Sequence, residues 1–146
     1  VTVMDGTNAR FVQPQDFQHR FDLISIDVSF ISLGKVLPAI AALLADGGQI
    51  VALVKPQFEA GPGRVGKGGV VRDAETHRDV LSAVAAQAEE CGLAAERTAF
   101  SPITGPAGNI EFFLLLRKHF EHTDAAKVTL EDIEGIVAAA HSAFAK

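Results

Sequence analysis

Short apolar runs recur along the chain at residues 1–4, 21–28, 49–54, 93–100 and 110–116, each bounded by glycine, proline or charged residues. Runs of this length with such punctuation predict strands. The runs at 21–28, 49–54 and 110–116 are nearly continuous, as in strands covered on both faces. Three other segments predict helices. Residues 33–45 carry Val36, Leu37, Ile40, Leu43 and Leu44 on one side, with Ser32 as N-cap, Pro38 in the first turns and Asp46-Gly47-Gly48 as the stop. Asp73 caps a helix over 74–91 that Gly92 ends. Thr129 caps a last helix whose apolar side is Leu130, Ile133, Val137, Ala140 and Phe144. Residues 117–127 read as a charged loop.

The order is strand, strand, helix, strand, helix, strand, strand, helix. Such alternation predicts a parallel α/β sheet with right-handed crossovers. The last two strands lack a helix between them, so one of them can run antiparallel.

Chemistry is expected where strands end, because ligands of parallel α/β sheets gather at the carboxyl ends. Lys55 follows the central run 50–54, Asp27 closes the run that begins at Phe21, and Glu111 opens the run into Phe112. Each has a plain structural reading as a solvated loop lysine, a strand-end cap or turn, and a paired core carboxylate. Glu111 is the hardest to dismiss, since a carboxylate entering an apolar strand needs a partner. The three are therefore candidates for one shared site.

Residues 61–68 read G-P-G-R-V-G-K-G. This approaches a phosphate-binding loop but has Gly68 where a metal-binding hydroxyl belongs, and the strand before it ends too early. A nucleotide triphosphatase is excluded. What remains is either a mobile lid bringing Arg64, Lys67 and Arg72 to an anionic ligand or a flexible surface loop. Around Glu121, His119 and His122 lack further ligands at zinc spacing and read as solvated loop. His77 lies near the glycine loop and is open to lining the site, with a surface helix position the better reading, and His19 and His141 carry no signal.

The chain has 146 residues, 48% hydrophobic and 21% charged, enough for one domain with a core. A formal net charge of -5 argues against nonspecific nucleic-acid binding by these residues alone. The single cysteine, Cys91, excludes an internal disulfide, fits a reducing cytoplasm and reads as a small buried apolar side chain. No run reaches the ~20 apolar residues of a membrane span. The first residue is Val1 rather than methionine, consistent with a partial chain.

Four segments together carry a family resemblance: D-V-S-F-I-S at 27–32, V-K-P-Q-F-E at 54–59, V-G-K-G-G-V-V-R-D at 65–73 and G-N-I-E at 108–111. From Val1 to about Leu116 the chain resembles the TlyA (hemolysin A) family of FtsJ-like ribosomal RNA methyltransferases. The resemblance implies a Rossmann-like α/β methyltransferase fold that uses S-adenosylmethionine and methylates ribose 2′-hydroxyls of ribosomal RNA in the cytoplasm. It implies a Lys-Asp-Lys-Glu tetrad, whose last three members match Asp27, Lys55 and Glu111. The first lysine, the cofactor's glycine-rich turn and an S4-type RNA-binding domain have no counterpart here, so residues 1–146 read as the incomplete carboxyl-terminal part of such an enzyme.

On that reading Asp27 and Ser29, with Asp5 and Asn8 after the first strand, would meet the cofactor, and Arg64, Lys67 and Arg72 would meet RNA. Lys55 would orient the 2′-hydroxyl and help remove its proton, with no metal required. A lysine between two carboxylates is a poor base at neutral pH, which the family's second lysine would offset. Residues 1–146 alone are thus expected to bind cofactor weakly and not to turn over. The exposed sheet edge left by missing strands would invite a homodimer. The competing readings are a noncatalytic interaction or RNA-binding module of the same fold and a dinucleotide-binding dehydrogenase, which lacks its G-x-G-x-x-G turn here. Membrane lysis gains no support, because the last helix carries Glu131, Asp132 and Glu134 rather than a cationic face.

Overall fold

The computed structural model describes residues 1–119 and 126–145. Strand β1 spans Phe21–Ile26, helix α1 Leu37–Leu43, strand β2 Leu44–Val54, the one-turn helix α2 Pro56–Glu59, helix α3 Ala74–Glu90, strand β3 Leu93–Phe100, strand β4 Phe112–Lys118 and helix α4 Leu130–Ala143. The strands form a sheet in the order β1-β2-β4-β3. β1 and β2 are parallel, whereas β4 runs antiparallel to both β2 and β3. The direct link from β3 to β4, without a helix, makes that reversal possible.

The central strands alternate fully buried with half-buried residues. Ile50, Ala52 and Val54 of β2 and Phe112, Leu114 and Leu116 of β4 are sealed, while Val51, Leu53, Phe113 and Leu115 are only partly covered. One face is therefore drier than the other, where the near-continuous apolar runs had suggested equal cover. Each sealed Val, Ile, Leu or Phe side chain contributes roughly 1.5–3 kcal/mol by leaving water. Helix α3 packs on both α4 and β3, with Val80, Leu81, Val84 and Ala88 inward. Asp73 caps it by accepting from the Thr76 amide at 2.8 Å, and those hydrogen bonds from Thr76 lower the carboxyl pKa. Thr129 and Asp132 form a reciprocal capping box on α4. On that helix Ile133, Val137 and Ala140 are buried, but Leu130 faces solvent.

Several expectations change. Residues 1–4 form no strand and are exposed. No strand among the described residues lies alongside to satisfy their backbone, and an isolated strand leaves its polar groups unpaired. The helix expected over 33–45 is broken into a 3-10 turn at Leu33–Lys35 and the short α1. Leu44 turns extended and pairs with Phe21, so the chain enters the sheet before the expected stop. Gly48 then passes so close to the Phe21 carbonyl that a Cβ would stand 2.9 Å from it. β4 runs on through Arg117 and Lys118, whose charges are used rather than solvated: Arg117 pairs with Glu96 at 2.6 Å and Lys118 donates to the Leu44 carbonyl. Cys91 is half-buried at the end of α3, and burial raises its thiol pKa.

The largest correction concerns His77. It is fully buried, against the edge of Phe112, with its Nδ1 2.9 Å from Nε2 of His141 on α4. Its own Nε2 is buried without a partner. Helical spacing sets His77 on the same side as Val80, Leu81 and Val84, which overrides its polarity.

Candidate active site

The sheet register gathers the predicted acids and lysine at one edge. Ile26 pairs with Ala52, so Asp27 leaves β1 beside the end of β2. Val54 pairs with Phe112, so Lys55 and Glu111 both lie just beyond the last rung between β2 and β4. The carboxyl ends of two parallel strands and the amino end of their antiparallel neighbour thus share a rim.

Lys55 Nζ lies 2.6 Å from Asp27 Oδ1, the lysine side chain 14% exposed and the aspartate 68%. The same ammonium donates to the Ser29 hydroxyl at 3.2 Å. Glu111 is buried and forms no ion pair among the described residues; its Oε1 instead accepts from Nε2 of Gln57 at 3.1 Å. Asp27, Lys55 and Ser29 are directly joined, and Glu111 reaches the same rim through the segment that carries Lys55.

A second set of contacts binds the two motif segments together. Glu59 accepts from the Ser32 hydroxyl at 2.7 Å and from the Leu33 amide at 2.8 Å, capping the 3-10 turn that begins there. Phe30 rests its ring on Phe58 with centroids 4.9 Å apart. Phe30 is 91% exposed and has a backbone φ of 62°, a left-handed conformation costly for an aromatic residue. An aromatic face is thereby presented to water beside Phe58. The sequence shows an aromatic after Ser29, but no pattern of residues announces its backbone conformation.

The glycine-rich segment is less free than a lid. Its far end is pinned by Asn109, whose side chain accepts from the Val71 amide and donates to the Gly69 carbonyl, both at 2.9 Å. Val70 and Val71 are buried beneath it. Arg64 is turned to Asp79 of α3 at 2.8 Å. Lys67 and Arg72 are exposed, and Arg72 lines a cavity with Thr104, Gly108 and Phe144. Asp5 lies in an exposed turn and Asn8 caps the 3-10 turn Ala9–Phe11; no hydrogen bond or ion pair among the described residues ties either to the rim. His122 and Glu121 lie outside the described residues, and the amide of His119 donates to the Gly92 carbonyl. Among the described residues no helix is long and apolar enough to cross a membrane.

Residues 1–118 match the profile of the FtsJ-like methyltransferases. The chain is 46% identical over 132 residues to the 16S/23S rRNA (cytidine-2′-O)-methyltransferase TlyA of Mycobacterium tuberculosis, covering 90% of this chain and 49% of that protein. It is 35% identical over 113 residues to Hemolysin A of Brachyspira hyodysenteriae, covering 77% of this chain and 47% of that one. Among solved structures, a protein of Streptococcus thermophilus described as a candidate hemolysin superposes with a TM-score of 0.86 at 46% identity, over 94% of this chain and 49% of its own. The chain spans about half the length of the curated relatives it matches.

Proposed function

The chain belongs to the FtsJ-like methyltransferase family, and from that premise we propose that it forms the substrate-activating half of an enzyme that methylates the ribose 2′-hydroxyl of ribosomal RNA in the cytoplasm. The observation that carries this reading is the rim itself: Asp27 and Ser29 both in contact with Lys55 at the carboxyl edge of the sheet, with Glu111 alongside. Cytidine, named for the Mycobacterium tuberculosis relative, is the first nucleotide to test.

The exposed Asp27 carboxylate and the Ser29 hydroxyl suit a cationic, hydroxyl-bearing methyl donor. S-adenosylmethionine would supply a methyl group already activated for attack by an alcohol oxygen. Asp27 and Ser29 would hold it from this side, with Asp5 and Asn8 approaching from the preceding turns.

Lys55 acts in this scheme as a charged donor. Its ammonium is held by Asp27 and Ser29, and a third N–H can fix the attacking oxygen in line. Buried Glu111 would take up the hydroxyl proton as the oxygen gains the methyl group. Catalysis then rests on orientation, which by itself can supply a large part of a barrier reduction. The exposed ring of Phe30 offers a stacking face for the base of the target nucleotide, the usual way a protein holds an unstacked base. Arg64, Lys67 and Arg72 would contact the RNA backbone, with Arg64 first leaving Asp79.

The test is transfer of labelled methyl from S-adenosylmethionine to undermethylated ribosomal RNA by the full-length protein, with Lys55→Ala as the comparison. Label on ribose from the unmutated protein alone is the expected result. A folded full-length protein that labels nothing sinks the proposal and favours a noncatalytic module of this fold.

A further inference from the structure

Among the described residues, the buried carboxylate of Glu111 has no cation in contact, and one side chain donates a hydrogen bond to it. That side chain is Gln57, two residues after Lys55. The short turn between them is fixed, because the Phe58 amide donates to the Lys55 carbonyl and the Ala60 amide to the Pro56 carbonyl, both at 2.9 Å. Gln57 is thus a rigid arm from the Lys55 segment to the Glu111 carboxylate.

The amide orientation is dictated. A carboxylate accepts only, so Nε2 must face Glu111. The Gln57 carbonyl oxygen is then turned away, buried and without a partner. An orphaned buried oxygen is costly. Rotation of the amide would leave two acceptors facing each other, which is worse. Glu111 therefore sets the amide, and the amide sets Glu111.

The other wall is Gly105. A Cβ there would stand 2.7 Å from Glu111 Oε1. Gly105 has no left-handed backbone that would demand glycine on its own account. Its lack of a side chain matches the space the carboxylate fills. The Glu111 backbone is held separately, by the Ser101 amide donating to its carbonyl at 2.8 Å.

We infer that Gln57 is a positioning residue that aims the Glu111 carboxylate at the rim through one hydrogen bond, with Gly105 keeping its place open. The inference rests on the methyl-transfer reading above. Without the amide, a buried carboxylate seeks the nearest cation and collapses toward Lys55, removing a donor from the attacking hydroxyl. RNA contacts far from the rim are untouched.

The test uses the full-length protein and four variants: Gln57→Met, Gly105→Ala, Glu111→Gln, and Gln57→Met combined with Glu111→Gln. Methionine keeps the length and apolar bulk of glutamine, so it isolates the hydrogen bond. Gln57→Met should lower kcat roughly ten- to hundredfold, the scale of a hydrogen bond to a charged group. The KM for RNA should stay unchanged. Gly105→Ala should act in the same sense. In the Glu111→Gln background, Gln57→Met should cause no further loss. A Gln57→Met protein with the kcat of the parent, or losses that multiply in the double variant, overturns the inference. If the unmutated protein transfers no methyl, the methyl-transfer reading falls instead. A nuclear magnetic resonance measurement then still decides the bond: the Gln57 side-chain amide should shift on Glu111→Ala, and an unmoved resonance overturns it.

Discussion

Two polar pairs cross between elements of this protein at similar separations, and they are put to opposite uses. Lys55 meets Asp27 at 2.6 Å on the rim of the sheet, with the aspartate 68% exposed. His77 meets His141 at 2.9 Å in the joint between α3 and α4, with His77 sealed from water. The first pair keeps one member wet, so its hydrogen bonds can be exchanged for those of a substrate at little cost. In the second, His77 is sealed in the core, and breaking the pair leaves a polar ring there without its partner. Access to water separates the pair suited to chemistry from the pair that holds helices together.

The sharpest way to test that contrast is to remove each lysine or histidine in turn. Lys55→Ala should lower methyl transfer by about 10²- to 10⁴-fold, the range for a positioned catalytic group, while thermal melting barely moves. His77→Ala should do the reverse. It opens a cavity beside Phe112 and should cost about 3 kcal/mol of stability by chemical denaturation, while the folded protein transfers methyl at the parental rate.

Acid should separate the pairs as well. Burial, reinforced by His141, lowers the pKa of His77 to about 4, whereas an unfolded histidine titrates near ~6.5. The unfolded chain therefore takes up the proton first. Stability from this group is complete above pH ~6.5 and declines as pH falls toward 4. The total approaches about 3 kcal/mol at the scale of 1.36 kcal/mol per pKa unit. The groups facing this ring are His141 on α4 and Asp73 at the start of α3. Denaturation midpoints of a His77→Leu variant should be flatter between pH 6.5 and 4 than those of the parent; parallel profiles would refute the assignment. The smallest effect belongs to Asp73→Ala, which removes the cap of α3 and should lower the melting temperature by a few degrees without altering methyl transfer.

The rim was legible in the sequence for a physical reason. A lysine or an acid abutting an apolar run stands out against it, and strand ends are where this fold class displays such groups. Asp27, Lys55 and Glu111 needed only the register to be brought together. The register also explains the misses. The boundary between α1 and β2 was misread because Leu44 pairs with Phe21, a long-range contact that no local window contains. His77 was misread because polarity was weighed above helical position. Gln57 and Phe30 escaped notice because their roles depend on where an amide points and on a left-handed φ, and neither leaves a pattern in the chain. Arg64, expected either to reach an anionic ligand or to sit in a flexible loop, is held by Asp79 of α3, a long-range pairing that local pattern does not show.

The Glu59 carboxylate stitches the segment after β1 to the segment after β2 by way of Ser32 and Leu33. For protein engineering this makes residues 27–33 and 55–59 a single cassette. Exchanging one loop for that of a homologue with a different stitch would leave a half-buried carboxylate unpaired and let both loops drift. Recombination libraries should cut outside the pair, so that both segments travel from the same parent.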